Sequence, residues 1–394
     1  NFGSPACTYT ASASGLLLSA PNHIAESSGN LLTVRAVRSS DNSNQCLPAF
    51  TGTKSIRLQY AYQNPATGTA PVRIGGAALG PSGSDTALTF DATGTATAAL
   101  AYADVGQVQL TGTYTGSAAS NDTGLVMTGS TSFISAPASF TFAPEPNPTG
   151  TRPAGKPFTV TLEARNKLKE LSPNFGKESS PQRSTLSHTK KSPTWPGSSS
   201  GEFNYKFENN STTIFKLTWS EVGSIDLHAE LTDYLSTGIA VTGSTGTALG
   251  RFIPDRFDVD VSTTPGCDNF SYAGQFNDAG QLSYAGQPFT VKVTAKNRLN
   301  GITVNYDGGS ATLSDAAAPG PGSFGSTTVA SSTFNKGVSS TQLTYNYLNK
   351  ITAPHKLTLR ATDTDKVTGD ALKSLEVRSG RLWLSNVFGS EKTA

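Results

Sequence analysis

Ala154-Gly155-Lys156-Pro157-Phe158-Thr159-Val160-Thr161-Leu162-Glu163-Ala164-Arg165-Asn166 returns 131 positions later as Ala285-Gly286-Gln287-Pro288-Phe289-Thr290-Val291-Lys292-Val293-Thr294-Ala295-Lys296-Asn297. The same offset carries Asn174-Phe175 onto Asn305-Tyr306 without a gap. Inside the repeat, Phe158, Val160, Leu162 and Ala164 alternate with Thr159, Thr161, Glu163 and Arg165. Period-two alternation marks a strand with one buried face, and self-similarity at a fixed offset marks a tandem architecture.

A second offset links the first third to the middle. Leu100-Ala101-Tyr102-Ala103-Asp104-Val105-Gly106 corresponds to Leu217-Thr218-Trp219-Ser220-Glu221-Val222-Gly223, 117 positions on, and Pro137 and Phe140 fall on Pro254 and Phe257 with the same spacing. Leu343-Thr344-Tyr345 and Lys356-Leu357-Thr358-Leu359-Arg360-Ala361 make a looser third copy. Alternation recurs through Ile225, Leu227, Ala229 and Leu231, through Ile56, Leu58, Tyr60 and Tyr62, and through Val108, Leu110, Gly112 and Tyr114. An acidic residue, one residue, then Gly before a strand is a tight turn in which Gly supplies positive φ. Short alternating strands with turns between them, in units of this size, predict an all-β chain of three tandem immunoglobulin-like antiparallel β-sandwich domains, 1–137, 138–254 and 255–394. The Pro-bearing stretches Pro137 to Pro153 and Pro254 to Cys267 read as short stiff linkers.

Composition agrees. Of 394 residues, 15% are charged, with 39 Gly and 22 Pro, which leaves few of the residues that build soluble helices. A net charge of +2 implies neither nucleic acid nor an anionic membrane as partner, and no apolar run is long enough for a membrane span. The chain begins at Asn1 without a basic-then-apolar leader, so a secretion signal is expected to have been removed or to lie outside this sequence.

Sites of chemistry are sparse. Cys7, Cys46 and Cys267 contain no C-x-x-C pair, so no zinc site or other metal is expected, and no cofactor. His23, His188, His228 and His355 are scattered and read as surface or rim residues. No hydrolase serine elbow, papain-like cysteine, phosphate-cradling loop or H-E-x-x-H helix is expected. Asp104 and Glu221 are candidate catalytic carboxylates, but one per repeat beside Val-Gly fits a turn better than the unique pair that glycoside hydrolysis needs. Asp363-Thr364-Asp365 and Asp41-Asn42-Ser43-Asn44 are candidate calcium loops without the EF-hand spacing.

Two features stand out. Residues 152 to 191 hold nine Lys and Arg against three Glu, which is where a polyanion would dock. Trp195, in a Pro-, Gly- and Ser-rich stretch, either covers a domain junction or is exposed as a binding anchor, whereas Trp219 and Trp383 read as core. Lys190, Lys191 and Trp195 form the candidate contact surface.

Leu217-Thr218-Trp219-Ser220-Glu221-Val222-Gly223, Gly250-Arg251-Phe252-Ile253-Pro254-Asp255-Arg256-Phe257 and Gly380-Arg381-Leu382-Trp383-Leu384-Ser385-Asn386 with Gly389-Ser390-Glu391 resemble the C-terminal region of the MshQ-like family, as does the start through Pro21-Asn22-His23-Ile24-Ala25 and Cys46-Leu47-Pro48-Ala49-Phe50. That family is associated with the mannose-sensitive haemagglutinin (MSHA) type IV pilus of Gram-negative bacteria and has no defined biochemical activity. The resemblance implies export to the cell surface, pilus or other surface-filament proteins as partners, and a glycan or host surface as a further one. An oxidising compartment in turn implies a disulfide between Cys7 and Cys46, with Cys267 unpaired or paired outside the chain. The expected role is a non-enzymatic adhesin or stalk. The alternative is a filament subunit that self-associates by strand pairing, with Gly380 to Asn386 as the candidate donor strand, and a polysaccharide-active enzyme ranks third.

Overall fold

A computed structural model of the chain describes residues 14–40, 46–143, 150–208, 212–264, 269–307, 309–317, 320–330, 333–349 and 351–380. Among these residues there are strands, two short 3₁₀ turns at Ala118–Ser120 and Tyr234–Ser236, and no α-helix. Three immunoglobulin-like β-sandwiches follow one another along the chain.

In the first sandwich, one sheet orders Ser14–Ser19, Leu31–Ser39, Thr95–Tyr102, Val72–Ile74 and Ala77–Ala78, with Cys46–Pro48 added beside Leu31–Ser39. The facing sheet orders His23–Ile24, Val126–Ala136, Gly106–Thr115, Gly52–Asn64 and Ser84–Phe90. Leu32, Val34 and Tyr102 from one sheet and Ile56, Leu58 and Leu110 from the other share a core. Alternate residues fill it because successive side chains of a strand point to opposite faces.

The second sandwich places Phe158–Arg165, Ile214–Trp219 and Phe203–Phe207 in one layer. Gly223–Leu231 centres the other, with Thr185–Ser192, Val241–Ser244 and Leu249–Ile253 beside it. Ser139–Phe142 pairs antiparallel with Phe158–Arg165 and parallel with Val241–Ser244, which joins the layers into one nine-stranded set. In the third sandwich, Phe289–Lys296 lies between Arg256–Ser262 and Val338–Leu343. The repeated sequence is used identically: Phe158 pairs with Leu217 and Phe289 with Leu343. Val160, Leu162 and Ala164 are buried in the second core, as are Val291, Val293 and Ala295 in the third. Each such Val or Leu contributes about 1.5–3 kcal/mol by leaving water.

The expected linkers shrink. Only Pro137-Ala138 separates the strand Val126–Ala136 from Ser139–Phe142, and only Pro254-Asp255 separates Leu249–Ile253 from Arg256–Ser262. The residues beyond each Pro already alternate and belong to the next sandwich.

Candidate functional site: one joint built twice

Glu221, Val222 and Gly223 form the turn between the strands Ile214–Trp219 and Gly223–Leu231. Gly223 has φ +111°, and a Cβ there would lie 1.9 Å from the carbonyl oxygen of Ser192, so this position admits only glycine. The acid does more than close the turn. Glu221 is 4% exposed; its Oε1 accepts the backbone N–H of Val304 at 3.0 Å and its Oε2 that of Asn305 at 3.1 Å, both in the third sandwich. In return, Asn297 Nδ2 donates to the Ser220 carbonyl at 2.9 Å, and the Arg298 N–H to that of Ala154 at 2.9 Å. Val222 is buried within the third core.

The same arrangement joins the first sandwich to the second. Asp104 Oδ1 accepts the Asn174 N–H at 3.1 Å, Asn166 Nδ2 donates to the Ala103 carbonyl at 3.1 Å, and the Lys167 N–H donates to that of Ala25 at 2.9 Å. Val105 is buried within the second core, and Gly106, at φ +120°, would place a Cβ 2.4 Å from the Asn64 carbonyl oxygen. The turn residues correspond at an offset of 117 and those on the receiving side at 131, while the accepting carbonyls of Ala25 and Ala154 lie 129 apart. The two sequence repeats are therefore the two halves of one joint, which the chain builds twice.

The receiving asparagines are held before they reach across. Asn166 Oδ1 accepts the N–H groups of Leu168 and Glu170, each at 3.0 Å; Asn297 Oδ1 accepts those of Leu299 at 2.9 Å and Gly301 at 2.8 Å. With the oxygen committed to its own loop, the NH₂ group is left aimed at the neighbouring sandwich. Beneath each loop an edge-on aromatic pair packs: Phe140 with Phe175 at 5.1 Å, and Phe257 with Tyr306 at 5.6 Å.

Burial pushes the carboxyls of Asp104 and Glu221 above the usual range, against the pull of the N–H donors. Their fit differs. Both Glu221 oxygens are paired, but the Asp104 Oδ2 is buried with no hydrogen-bond partner among the described residues. The extra methylene of Glu carries its oxygens onto two successive N–H groups of the next sandwich, where Asp104 reaches one there besides the N–H of its own neighbour Val105.

The other candidate residues do not converge. Lys190 Nζ donates to the Ser198 carbonyl at 2.9 Å, and Lys191 pairs with Asp226 at 2.9 Å. Trp195 remains 38% exposed, beside a cleft at the second joint. The basic stretch is dispersed rather than gathered: Arg165 pairs with Glu163, while Arg152 and Arg183 lie over the rings of Phe158 and Phe207. His23 departs from its expected rim position; it is 5% exposed and stacked on Phe133 at 5.1 Å, and burial lowers its pKa. His355 pairs with Asp315 at 2.9 Å. Asp363 accepts the N–H groups of Asp365 and Val367 and the Tyr306 hydroxyl, and Asp365 pairs with Arg251, so this candidate calcium loop spends its oxygens on protein donors.

Gly197-Ser198-Ser199-Ser200-Gly201 does match the serine-elbow string, against expectation. It lies in a loop between two strands, and the Ser199 Oγ accepts the Gly201 N–H at 3.0 Å. Trp219 is fully buried, with its Nε1 donating to the Ser200 carbonyl at 2.8 Å. Cys46 is exposed, while Cys7, Cys267, Asp41-Asn42-Ser43-Asn44 and the stretch 381–386 with Trp383 lie outside the described residues. Among the described residues no three His, Cys, Asp or Glu are placed to hold a metal ion, and no helix is long and apolar enough to cross a membrane.

No curated protein matches the chain. Among solved structures, a Dpr2 Ig1-Ig2 complex with DIP-Theta Ig1-Ig3 is similar at 9% identity and a TM-score of 0.34, covering 92% of this chain and 99% of that one. Invasin, described as a bacterial integrin-binding protein, is similar at 13% identity and a TM-score of 0.30 over 92% of this chain, which spans 60% of the invasin chain. The D00-D0 domain of intimin is similar at 11% identity and a TM-score of 0.28, over 61% of this chain and all of that one. Two family models match in sequence: the first Ig-like domain of DUF6701, a domain of unknown function, over residues 1–130, and the third domain of DUF6701 over 221–379, which begins at the joint residue Glu221. Over these two segments the chain is similar to the first and the third domain of DUF6701.

Proposed function

We propose that the chain is a non-enzymatic extracellular surface protein, an adhesin or stalk associated with a type IV pilus of the MSHA kind, with domains 1–137, 138–254 and 255–394 acting as one stiff unit. The observation that carries this reading is the joint that recurs at Asp104 and Glu221. Domains linked in one chain ordinarily move relative to one another unless their interface is substantial. Here each joint combines an apolar plug, Val105 or Val222, whose exposure on opening would be costly, with hydrogen bonds to main-chain groups that opening would have to exchange for water. Repeating that construction suits a protein that must hold a contact surface at a set distance from the cell. The pilus setting rests on the resemblance of Trp219-Ser220-Glu221-Val222-Gly223 and its companion strings to MshQ-like sequences.

Deleting the coding region and comparing surface attachment and filament morphology tests the reading. Reduced attachment or altered filaments is the expected result. Unchanged behaviour in both would overturn it, and hydrolysis of a polysaccharide panel would replace it with an enzyme.

A further inference from the structure

At the second joint a cleft and an aromatic residue meet. A cleft of about 340 Å³ opens where the second and third sandwiches meet, within the range of small-ligand sites. One wall is the partly exposed indole of Trp195; others are Arg251, Asp307, Thr364 and Asp365. In the first joint, the loop after Asn64-Pro65 bears no aromatic residue and folds over Tyr62, whose hydroxyl donates to the Ala70 carbonyl at 2.7 Å. The first joint thus covers its ring with the loop, and the second presents a ring on the loop.

The loop that carries the indole is held in place from several directions. Ser198 Oγ donates to the Trp195 carbonyl at 2.8 Å, and Lys190 Nζ donates to the Ser198 carbonyl at 2.9 Å. From the third sandwich, Asn305 Oδ1 accepts the Ser199 N–H at 2.7 Å and Asn305 Nδ2 donates to the Ser199 carbonyl at 2.8 Å. A loop ordered before binding loses little entropy when a ligand arrives. On the cleft wall, the guanidinium of Arg251 donates to both carboxylate oxygens of Asp365, at 2.8 Å for Nη1 to Oδ2. The Arg251 side chain is still 56% exposed, so further N–H donors face solvent.

Charge selects the ligand class. The lining holds one Arg against two Asp, and the nearby Lys190 and Lys191 are engaged with Ser198 and Asp226. A polyanion would meet uncompensated carboxylate. A neutral sugar ring offers an apolar C–H face to the indole, and its hydroxyls can accept from the guanidinium and donate to the carboxylate. We propose that the cleft between Trp195 and the Arg251–Asp365 pair binds neutral hexopyranose units of a glycan. This deepens the Trp195 part of the contact surface proposed above and is independent of the stalk role.

The test is affinity electrophoresis of the full chain in native gels cast with galactomannan, glucomannan or xyloglucan, with alginate and dextran sulfate as anionic probes. Retardation by at least one neutral polymer is expected. Trp195→Ala should weaken it roughly tenfold or more, Trp195→Phe should retain most of it, and Arg251→Lys should weaken it by losing the planar fork. An unchanged unfolding midpoint in Trp195→Ala assigns its loss to the site; if that midpoint falls, retained binding in Trp195→Phe with loss in Arg251→Lys supports the proposal equally. Retardation by no neutral polymer, by the anionic polymers alone, or to the same extent in Trp195→Ala overturns it. That failure would leave attachment by the whole protein, and hence the stalk reading, standing.

Discussion

Glu221 and Asn305 lie 84 residues apart and fasten the second and third sandwiches together: the Glu221 carboxylate accepts the Asn305 N–H at 3.1 Å, while the Asn305 side chain exchanges two hydrogen bonds with Ser199. The pair unites the turn of one repeat with the loop of the next.

Removing the acid should uncouple the two sandwiches. Glu221→Ala leaves the buried N–H groups of Val304 and Asn305 without their acceptor, at a cost of roughly 3 kcal/mol. Calorimetry should then show the third sandwich melting ahead of the rest, and small-angle scattering should show a broader spread of shapes. Glu221→Gln, which keeps one acceptor oxygen, should fall between. A variant with the wild-type melting profile and scattering curve would deny the joint any mechanical role.

Asp104 gives a pH signature. Burial raises its folded-state pKa above the ordinary 3.8, so the native state holds its proton more tightly than the unfolded chain does. Its ionisation therefore costs stability as pH rises from about 3.8 through the higher folded value, and the cost is absent below that window. Relative to Asp104→Asn, the wild type should lose stability as pH rises through this window. Urea denaturation of both proteins from acid to neutral pH measures the difference; parallel curves would refute the assignment.

The turn glycines should resist substitution. Gly223→Ala puts a Cβ into contact with the Ser192 carbonyl at a backbone angle that disfavours any side chain, and Gly106→Ala does the same against Asn64. Each should lower stability by roughly 3 kcal/mol, read as a shift in denaturation midpoint. Gly197→Ala, in the open Trp195 loop with nothing within 4 Å of the added carbon, serves as the control for the positive φ alone.

The proposed Cys7–Cys46 bridge would close a loop of about 40 residues, worth roughly 4 kcal/mol in the chain-entropy account. Peptide mapping without reduction should recover the two cysteines in one linked fragment, and reduction should lower the melting temperature. Recovery of both as free thiols would remove one support for an oxidising compartment.

The sequence by itself determined the strands, their buried faces and the threefold repetition. Strand alternation is a local property, written into Phe158 to Arg165 as plainly as the structure displays it, and Gly106 and Gly223 were legible because positive φ is also local. The tertiary structure decided what those repeats are for. Asp104 and Asn174 belong to different repeat pairs and are 70 residues apart; one offset records the turn and the other the loop, and neither says that the two meet. It likewise decided that Lys190 and Lys191, adjacent in sequence, engage different partners, Ser198 and Asp226, while Trp195 keeps its exposed edge beside a cleft. Local pattern fixes which face a residue takes; only packing of one sandwich against the next fixes what that face touches.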